Sequence, residues 1–229
     1  MRSRRPDRLQ IFGERCSGTN YVAQLLRRNL RVSLTDEYGW KHGFSERVVD
    51  DPGCAFVVVV RDPFDWVQSL HRRPWHAAAS LRDCSLAQFV RTPWVCEWGR
   101  DMELPADDPR IGAEMRHERD PATGEPFANV MRLRIGKLRD WLTLAERVRH
   151  FAWVRYEDAV SDERGVVRRL ADELDCRRRW PWHRPVRTFK GGRERFVRRE
   201  YGELPPAERS WIARELDAEL ERSLGYALD

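Results

Sequence analysis

One apolar segment constrains the fold of this chain more than any other feature. Cys54–Val60 is its longest purely apolar run, and within it Ala55–Val60 is β-branched and aromatic, with no alternation of apolar and polar positions. That pattern is typical of a strand buried on both faces of a parallel sheet. Because a membrane-spanning helix needs roughly 20 apolar residues, we also expect no membrane span.

Strand and helix patterns alternate along the rest of the 229 residues. Short apolar segments predict further strands at Leu9–Phe12, Val32–Leu34 and Phe151–Val154. Apolar residues three and four positions apart predict helices at Asn20–Leu30, after Asp62-Pro63, at Ala128–Val148, after a Ser161 cap, and from Pro205 to Leu224. This alternation predicts an α/β fold with a central parallel sheet flanked by helices.

The stretch at about 72–128 differs from the rest because it is rich in proline and tryptophan. We expect it to form loops and short helices laid over the core, so that residues 1–229 make a single domain. A chain of this length buries enough surface to need neither disulfides nor a structural metal.

Cysteine usage and the N-terminus bear on the compartment and on metal binding. The five cysteines are odd in number and include no Cys-x-x-Cys pair, which argues against a disulfide framework or a zinc ribbon. The first residues are basic, but no apolar segment follows them, so a secretory signal is not expected. We therefore expect a cytoplasmic protein without a metal site.

The charge balance favours anionic ligands. Lysine and arginine number 42 against 37 acidic residues, which leaves a net charge of +5. Only three of these cations are lysines, namely Lys41, Lys137 and Lys190. A basic surface favours phosphates, sulfates, acidic sugars or nucleic acid.

The segment Gly13–Asn20 lies between a predicted strand and a predicted helix, where glycine-rich loops bind phosphate through backbone N–H groups and the positive helix end. Its glycines are spaced as in a Walker A loop. Thr19, however, stands where the Walker lysine belongs, and Asn20 stands where the magnesium-binding hydroxyl belongs. The loop therefore suits phosphate binding better than Mg-nucleotide hydrolysis; the plain alternative is an ordinary strand–turn–helix.

A second element follows the Ala55–Val60 strand. An arginine at the carboxyl end of a parallel strand points into the crevice where ligands bind in open α/β sheets. Arg61 holds that position, and Ser69 lies eight residues later, about two helical turns away, where it can face the same crevice. The alternative is a surface Arg61 that pairs with Asp62 or Asp65.

Four segments together resemble the sulfotransferases that use 3′-phosphoadenosine 5′-phosphosulfate (PAPS). Gly13–Tyr21 resembles their 5′-phosphosulfate loop, and Arg61–Ser69 resembles their 3′-phosphate element. Arg155–Asp158 resembles the Tyr-Glu-Asp stretch whose tyrosine lies near the adenine, and Phe189–Gly192 resembles the loop that closes over the 3′-phosphate. The resemblance implies a P-loop NTPase-like domain, PAPS as co-substrate and no metal. It also implies that the loop-rich insertion at about 72–128 lies on the acceptor side. The donor-binding residues that it implies are Arg15, Cys16, Ser17, Gly18, Thr19, Asn20, Tyr21, Arg61, Ser69, Tyr156, Lys190, Gly191 and Gly192.

The chain departs from the family pattern at several positions. Cytosolic members usually have a lysine directly before Ser-Gly-Thr, where this chain has Cys16, and we expect Arg15 to supply that charge. The aromatic residue near the adenine, often tryptophan, is expected to be Tyr21. Phe189 stands where the closing loop often has arginine, so the candidate cations there are Lys190, Arg187 and Arg193.

Lys41-His42 supplies candidate catalytic groups. The pair precedes Arg61 by about twenty residues and resembles the Lys-Thr-His element of cytosolic sulfotransferases, with the threonine missing. Histidine has a reference pKa near 6.5, which suits a general base at neutral pH. We expect His42 to act as the base, with Lys41 and Arg15 as catalytic cations. Carboxylates are alternative bases, and the candidates are Glu14, Asp36 and Glu37.

The functional hypothesis is in-line transfer of a sulfuryl group from PAPS to a hydroxyl, or to an amine, of a small molecule or carbohydrate. One alternative is a P-loop kinase or another nucleotide-binding protein, which the missing Walker lysine disfavours. Another is a nucleic-acid-binding module that uses the basic surface, for which affinity would fall steeply with salt. The sulfotransferase hypothesis includes no nucleic-acid partner.

Overall fold

The computed structural model describes residues 5–99, 102, 104–188 and 192–228. The chain divides into two compact units. The first comprises Met1–Asp62 and Arg139–Glu200, and the second comprises Pro63–Leu138 and Tyr201–Asp229. The single-domain organisation stays a prediction.

A four-stranded sheet forms the centre of the first unit. Its strands are β1 (Arg8–Gly13), β2 (Ser33–Thr35), β3 (Cys54–Val60) and β4 (Phe151–Arg155), in the order β2-β1-β3-β4. Every neighbouring pair is parallel, and all seven residues of β3 are buried. The predicted α/β architecture with a central parallel sheet is therefore confirmed. In the register, Gly13 lies opposite Val59, which places the carboxyl ends of β1 and β3 side by side.

Helices account for most of the remaining regular structure. Those of the first unit include α1 (Thr19–Asn29), α6 (Leu144–Arg147), α7 (Tyr156–Ser161) and α8 (Glu163–Glu173). Helices α1 and α8 bury apolar side chains against the sheet, in a core whose fully buried members include Val22, Leu25, Val57 and Leu170. The others are α2 (Pro63–Arg72), α3 (Ala79–Arg82), α4 (Leu86–Phe89), α5 (Val130–Leu142), α9 (Pro206–Glu215) and α10 (Ala218–Ser223).

The second unit contains two buried ion pairs. Arg134 Nε donates to Glu221 Oε1 at 2.6 Å, and both side chains are fully buried. Lys137 pairs with Glu118, which also accepts a hydrogen bond from Trp94 Nε1 at 2.9 Å. Within the described part of the chain, no helix is both long and apolar enough to cross a bilayer.

Three helix boundaries differ from the sequence predictions because polar side chains bind nearby backbone groups. Asp162, not Ser161, caps α8, since its carboxylate accepts from Gly165 N at 2.8 Å while Ser161 ends α7. The predicted helix 128–148 breaks at Thr143, whose hydroxyl donates to Asp140 O at 2.6 Å. The predicted last helix is two helices, because Asp217 caps α10 by accepting from Leu220 N at 3.1 Å. Such local bonds compete with continuation of a helix.

Candidate anion-binding site

The predicted phosphate loop connects the carboxyl end of β1 to the start of α1. Within it, Cys16 (φ 62°) and Gly18 (φ 94°) adopt the left-handed conformation. The Ser17 hydroxyl donates to Glu14 O at 2.8 Å, and this hydrogen bond closes a turn over residues 14–17. Loops with left-handed residues can form concave sets of N–H groups that bind anions. The backbone of this loop is therefore compatible with an anion site.

The spacing of the two loop glycines has a packing cause. A Cβ atom on Gly18 would lie 2.2 Å from Cδ2 of Tyr156. One on Gly13 would lie 2.7 Å from both Thr19 Cγ2 and the Val59 carbonyl oxygen. Side chains at these positions would push the loop away from Tyr156 and from β3. The glycines are needed for this fit whatever the loop binds.

We expect Gly18→Ala to lower the free energy of unfolding by about 2–5 kcal/mol, which combines left-handed strain with overpacking against Tyr156. Gly39→Ala is the matched control, because Gly39 also has a positive φ (111°) but nothing lies within 4 Å of its Cβ position. The control should cost only the strain, about 1–2 kcal/mol. Urea unfolding of both variants makes the comparison, and equal losses would contradict the tight contact with Tyr156.

The start of α1 has the features of an anion-binding helix end. Gly18 is the N-cap residue, so no side chain caps the helix, and its first turn contains no acidic residue. Helices more often begin with Ser, Thr, Asp or Asn, whose side chains accept from the first N–H groups. A phosphate or sulfate in this position would supply that acceptor and would face the positive end of the helix dipole.

Three cationic side chains surround the loop. Arg61 Nη1 donates to Cys16 O at 3.0 Å, and its guanidinium lies 4.9 Å from the ring centroid of Tyr156. Lys41 Nζ donates to Asn20 Oδ1 at 2.8 Å, in the first turn of α1. The Arg15 guanidinium stacks over Trp40 at 4.8 Å, and this arginine is only 4% exposed. Two of these cations come from outside the loop sequence.

The geometry bears on which cation takes the place of the usual loop lysine. Arg15 is held against Trp40, a contact that fixes its guanidinium by cation–π attraction. Lys41 instead contacts Asn20 at the end of α1 where an anion would sit. The structure thus brings Lys41 to the loop as well as Arg15, and the expectation that Arg15 alone replaces the lysine stays a prediction.

The segment that carries Lys41 and His42 is fixed to β1 and to Trp141 by several hydrogen bonds. Gly13 N donates to Lys41 O at 3.0 Å, and Gln10 Nε2 donates to Gly39 O at 3.1 Å. Trp141 Nε1 donates to Gly43 O at 2.9 Å. These contacts hold the 39–43 turn beside the carboxyl end of β1, in contact with the candidate phosphate loop.

His42 lies directly against this loop. Its Nδ1 is 2.6 Å from Gly13 O, and the residue is 8% exposed. A carbonyl oxygen only accepts hydrogen bonds, so Nδ1 carries the proton and donates it. In the neutral ring the basic lone pair is therefore on Nε2. This tautomer is the one that can accept a proton at Nε2.

The alternative carboxylate bases occupy different places. Glu14 lies in the loop itself and is 2% exposed. Asp36 and Glu37 are exposed, and the Glu37 carboxylate pairs with Arg8, which is the first residue of β1. Since the loop follows the last residue of β1, the structure brings Glu14 but not Glu37 to it.

Tyr21 and Tyr156 are buried in the core next to the loop. The Tyr21 hydroxyl donates to Glu163 Oε1 at 2.5 Å, and its ring meets Tyr156 edge to face at 6.0 Å. Burial and the Glu163 carboxylate both raise the pKa of Tyr21. The ring of Tyr21 also packs on Phe196 at 4.5 Å. Tyr21 therefore acts in packing in this structure, and a role against adenine stays a prediction.

The closing segment is described only in part. Lys190 and Gly191 lie outside the described residues, and Gly192 is exposed. Thr188 and Arg195 form an antiparallel bridge, and Phe196 N donates to Arg187 O at 3.0 Å. The contact of Phe196 with Tyr21 places the base of this segment beside the first turn of α1. Ser69 lies in α2, in the second unit, and its role stays a prediction.

Two residues that the sequence analysis did not single out contribute to this site. Trp40 provides the face on which Arg15 stacks, and its position two residues before His42 was the available signal. Glu157 accepts from Asp62 N at 3.0 Å and so fixes the turn after β3 that carries Arg61. Its partner is 95 positions away, so no local pattern indicated the contact.

The comparisons with known proteins do not assign this chain to a family. No protein-family model matches this chain, and no curated protein matches it. Among the residues that the structure describes, no group of three or more His, Cys, Asp or Glu side chains is placed to hold a metal ion.

Proposed function

We propose that this protein is a PAPS-dependent sulfotransferase that transfers a sulfuryl group to an acceptor hydroxyl or amine. The observation that supports this proposal is that positive charge reaches the candidate phosphate loop from two residues outside it. Arg61, from the end of β3, donates to the loop carbonyl of Cys16 at 3.0 Å, and Lys41 reaches the first turn of α1. The Walker positions themselves hold Thr19 and Asn20.

The proposed donor fits the chemistry of the loop. The loop N–H groups, the uncapped start of α1 and Lys41 would hold the 5′-phosphosulfate, since each presents positive charge or a hydrogen-bond donor. The left-handed Gly18, packed against Tyr156, would fix the turn that leads into the first N–H groups of α1. Arg61 would hold the 3′-phosphate, and the roles expected for Ser69 and Lys190 stay predictions of the sequence analysis. A planar guanidinium suits that role, because its donors match phosphate oxygens in pairs.

PAPS supplies an activated sulfuryl group, whose bond to the 5′-phosphate breaks as the bond to the acceptor forms. His42 would take the acceptor proton at Nε2, because its Nδ1 donates to Gly13 O. Lys41 would neutralise the negative charge that develops on the leaving 5′-phosphate. As in phosphoryl transfer, positioning and electrostatics carry most of the catalysis.

A titration with two nucleotides separates this proposal from a kinase or nucleotidase. We expect 3′-phosphoadenosine 5′-phosphate to bind in EDTA, and we expect ATP with magnesium to bind more weakly. Isothermal titration calorimetry measures both affinities. Tighter binding of Mg-ATP, with release of ADP, would contradict the sulfotransferase proposal and support a P-loop kinase or nucleotidase.

A further inference from the structure

A basic and aromatic surface lies away from the candidate site, in the first unit. It comprises arginines and tryptophans at the end of α1 and in the segment that follows α8. We call it the Arg–Trp surface; its members are Arg31, Arg177, Arg178, Arg179, Trp180, Trp182 and Arg184. The five arginines are exposed, and 56% of Trp182 is exposed to solvent. Neither the loop nor the proposed catalysis uses any of these residues.

The buried Asn29 fixes the backbone that carries this surface. Its Nδ2 donates to Arg184 O at 2.9 Å, and its Oδ1 accepts from Arg184 N at 2.8 Å. Asn29 O also accepts from Arg179 N at 2.7 Å. The exposed arginines and tryptophans are therefore carried on a segment that is held at both ends, which reduces the entropy lost on binding.

Glu163 fixes the same segment a little further along the chain. Its Oε2 lies 2.7 Å from His183 Nε2, and its Oε1 accepts from Val186 N at 3.0 Å. His183 is thereby turned toward the protein, while its neighbour Trp182 faces solvent. The arrangement holds a large aromatic side chain outward beside exposed arginines, where it is available to a partner surface.

The two tryptophans stack together. The rings of Trp180 and Trp182 lie 5.7 Å apart with an interplanar angle of 17°, and the Arg184 guanidinium lies 4.2 Å from the centroid of Trp180. Trp180 thus contacts both Trp182 and Arg184, and these three side chains form a column whose exposed end is Trp182. A cavity of about 480 Å³ beside the column is lined by Arg31, Arg179 and Trp180, and also by Asp7, Val32 and Ser33.

The part of the Arg–Trp surface formed by Arg31 and Arg177–Arg179 lies at the end of the sheet opposite the candidate phosphate loop. Arg31 N donates to Arg177 O at 2.8 Å, just before β2 begins. The first residue of β2, Ser33, pairs with Arg8 at the start of β1, whereas the loop follows the end of β1 at Gly13. Five strand steps separate the two ends of β1, or about 16 Å. This part of the surface is therefore separate from the candidate phosphate loop.

We propose that the Arg–Trp surface docks the protein on an anionic phospholipid membrane. Arginines near such a surface are attracted to the lipid phosphates, and tryptophan rings prefer the boundary between headgroups and hydrocarbon. Trp182 would insert at that boundary, while the arginines would bind headgroup phosphates around it. Single-stranded nucleic acid is less well matched, because successive bases need successive open aromatic faces. Trp180 already stacks with Trp182 and Arg184, which leaves the exposed ring of Trp182 as a single platform in this surface.

Vesicle cosedimentation tests this proposal. We expect the protein to bind vesicles of phosphatidylcholine with about one third phosphatidylserine, to bind pure phosphatidylcholine far less, and to be released by salt. Each arginine is worth about a five-fold change in partitioning, so Arg177→Glu/Arg178→Glu/Arg179→Glu should lower it by 100-fold or more. Trp182→Ala should lower partitioning by about 10-fold or more, because it removes the large apolar side chain that is expected to be buried at the membrane boundary.

Trp75→Ala is the matched control, because Trp75 is also exposed (41%) but belongs to the second unit. It should bind vesicles like the unchanged protein, and thermal unfolding should show that all variants fold. Equal binding of the Trp182 and Trp75 variants, or no preference for anionic vesicles, would overturn the proposal. Binding of single-stranded DNA without vesicle binding would also overturn it and would assign the surface to nucleic acid. None of these outcomes depends on sulfotransferase activity.

Discussion

Substituting His42 is expected to reduce kcat by about 10²–10⁴-fold, the usual cost of losing a general base. The hydrogen bond of His42 to the loop gives a way to separate its role as a base from its role in holding the loop. Nδ1 of His42 donates to Gly13 O at 2.6 Å, so His42→Ala removes a hydrogen bond to the loop as well as the basic Nε2. In His42→Asn the amide N–H group lies near the position of Nδ1, and it can keep that bond without supplying a base.

Both His42 variants should therefore lose kcat to a similar degree, while His42→Asn keeps its affinity for 3′-phosphoadenosine 5′-phosphate. Steady-state kinetics and a nucleotide titration make the two measurements. If His42→Asn retains most of the activity, His42 is a positioning residue and not the base. Glu14→Gln would then be the next variant to measure, since Glu14 lies in the loop and His42 borders it.

Replacing Arg61 is expected to remove the preference for a 3′-phosphate. A hydrogen bond to a charged group is worth about 1.5–3 kcal/mol. Arg61→Ala should therefore weaken binding of 3′-phosphoadenosine 5′-phosphate by about 10- to 150-fold. Binding of adenosine 5′-phosphate should change less, because it lacks the group that Arg61 is proposed to hold.

Arg155→Ala is the control for this measurement. Arg155 ends β4, at the same edge of the sheet, and its guanidinium pairs with Asp158 at 2.7 Å. Its loss should leave both affinities nearly unchanged. If Arg61→Ala weakens both nucleotides equally, Arg61 acts by supporting the loop through Cys16 O, and the 3′-phosphate role is wrong.

The strands were predictable because each has a local signature. The continuous apolar pattern of β3 and the shorter apolar runs of β1 and β4 reflect strands with buried residues. β2 is exposed or half-buried, and its prediction depended on the short apolar segment that it overlaps. Helix ends were less predictable. The start of α10 at Asp217 and the helix break at Thr143 both depend on side-chain hydrogen bonds. Hydrophobic periodicity does not indicate which of several nearby polar side chains forms such a bond.

Side-chain partners in the candidate site were the least predictable part. The sequence analysis placed Arg61 beside the loop because a strand end points there, and the structure puts it on Cys16 O. Arg15 stacks on Trp40, which is 25 positions away in the sequence. Tyr21 packs on Phe196, which is 175 positions away. Such contacts depend on the folded arrangement, so sequence spacing carries no signal for them.

The central claim is tested most directly by thermal unfolding in EDTA with two nucleotides that differ only in the 3′-phosphate. A ligand at 100 times its Kd stabilises the fold by about 2.7 kcal/mol. For a chain of this size that amounts to a rise in Tm of about 5–10 °C. We predict this rise with 3′-phosphoadenosine 5′-phosphate and a much smaller one with adenosine 5′-phosphate at the same concentration. Equal rises, or none with either nucleotide, would contradict the account.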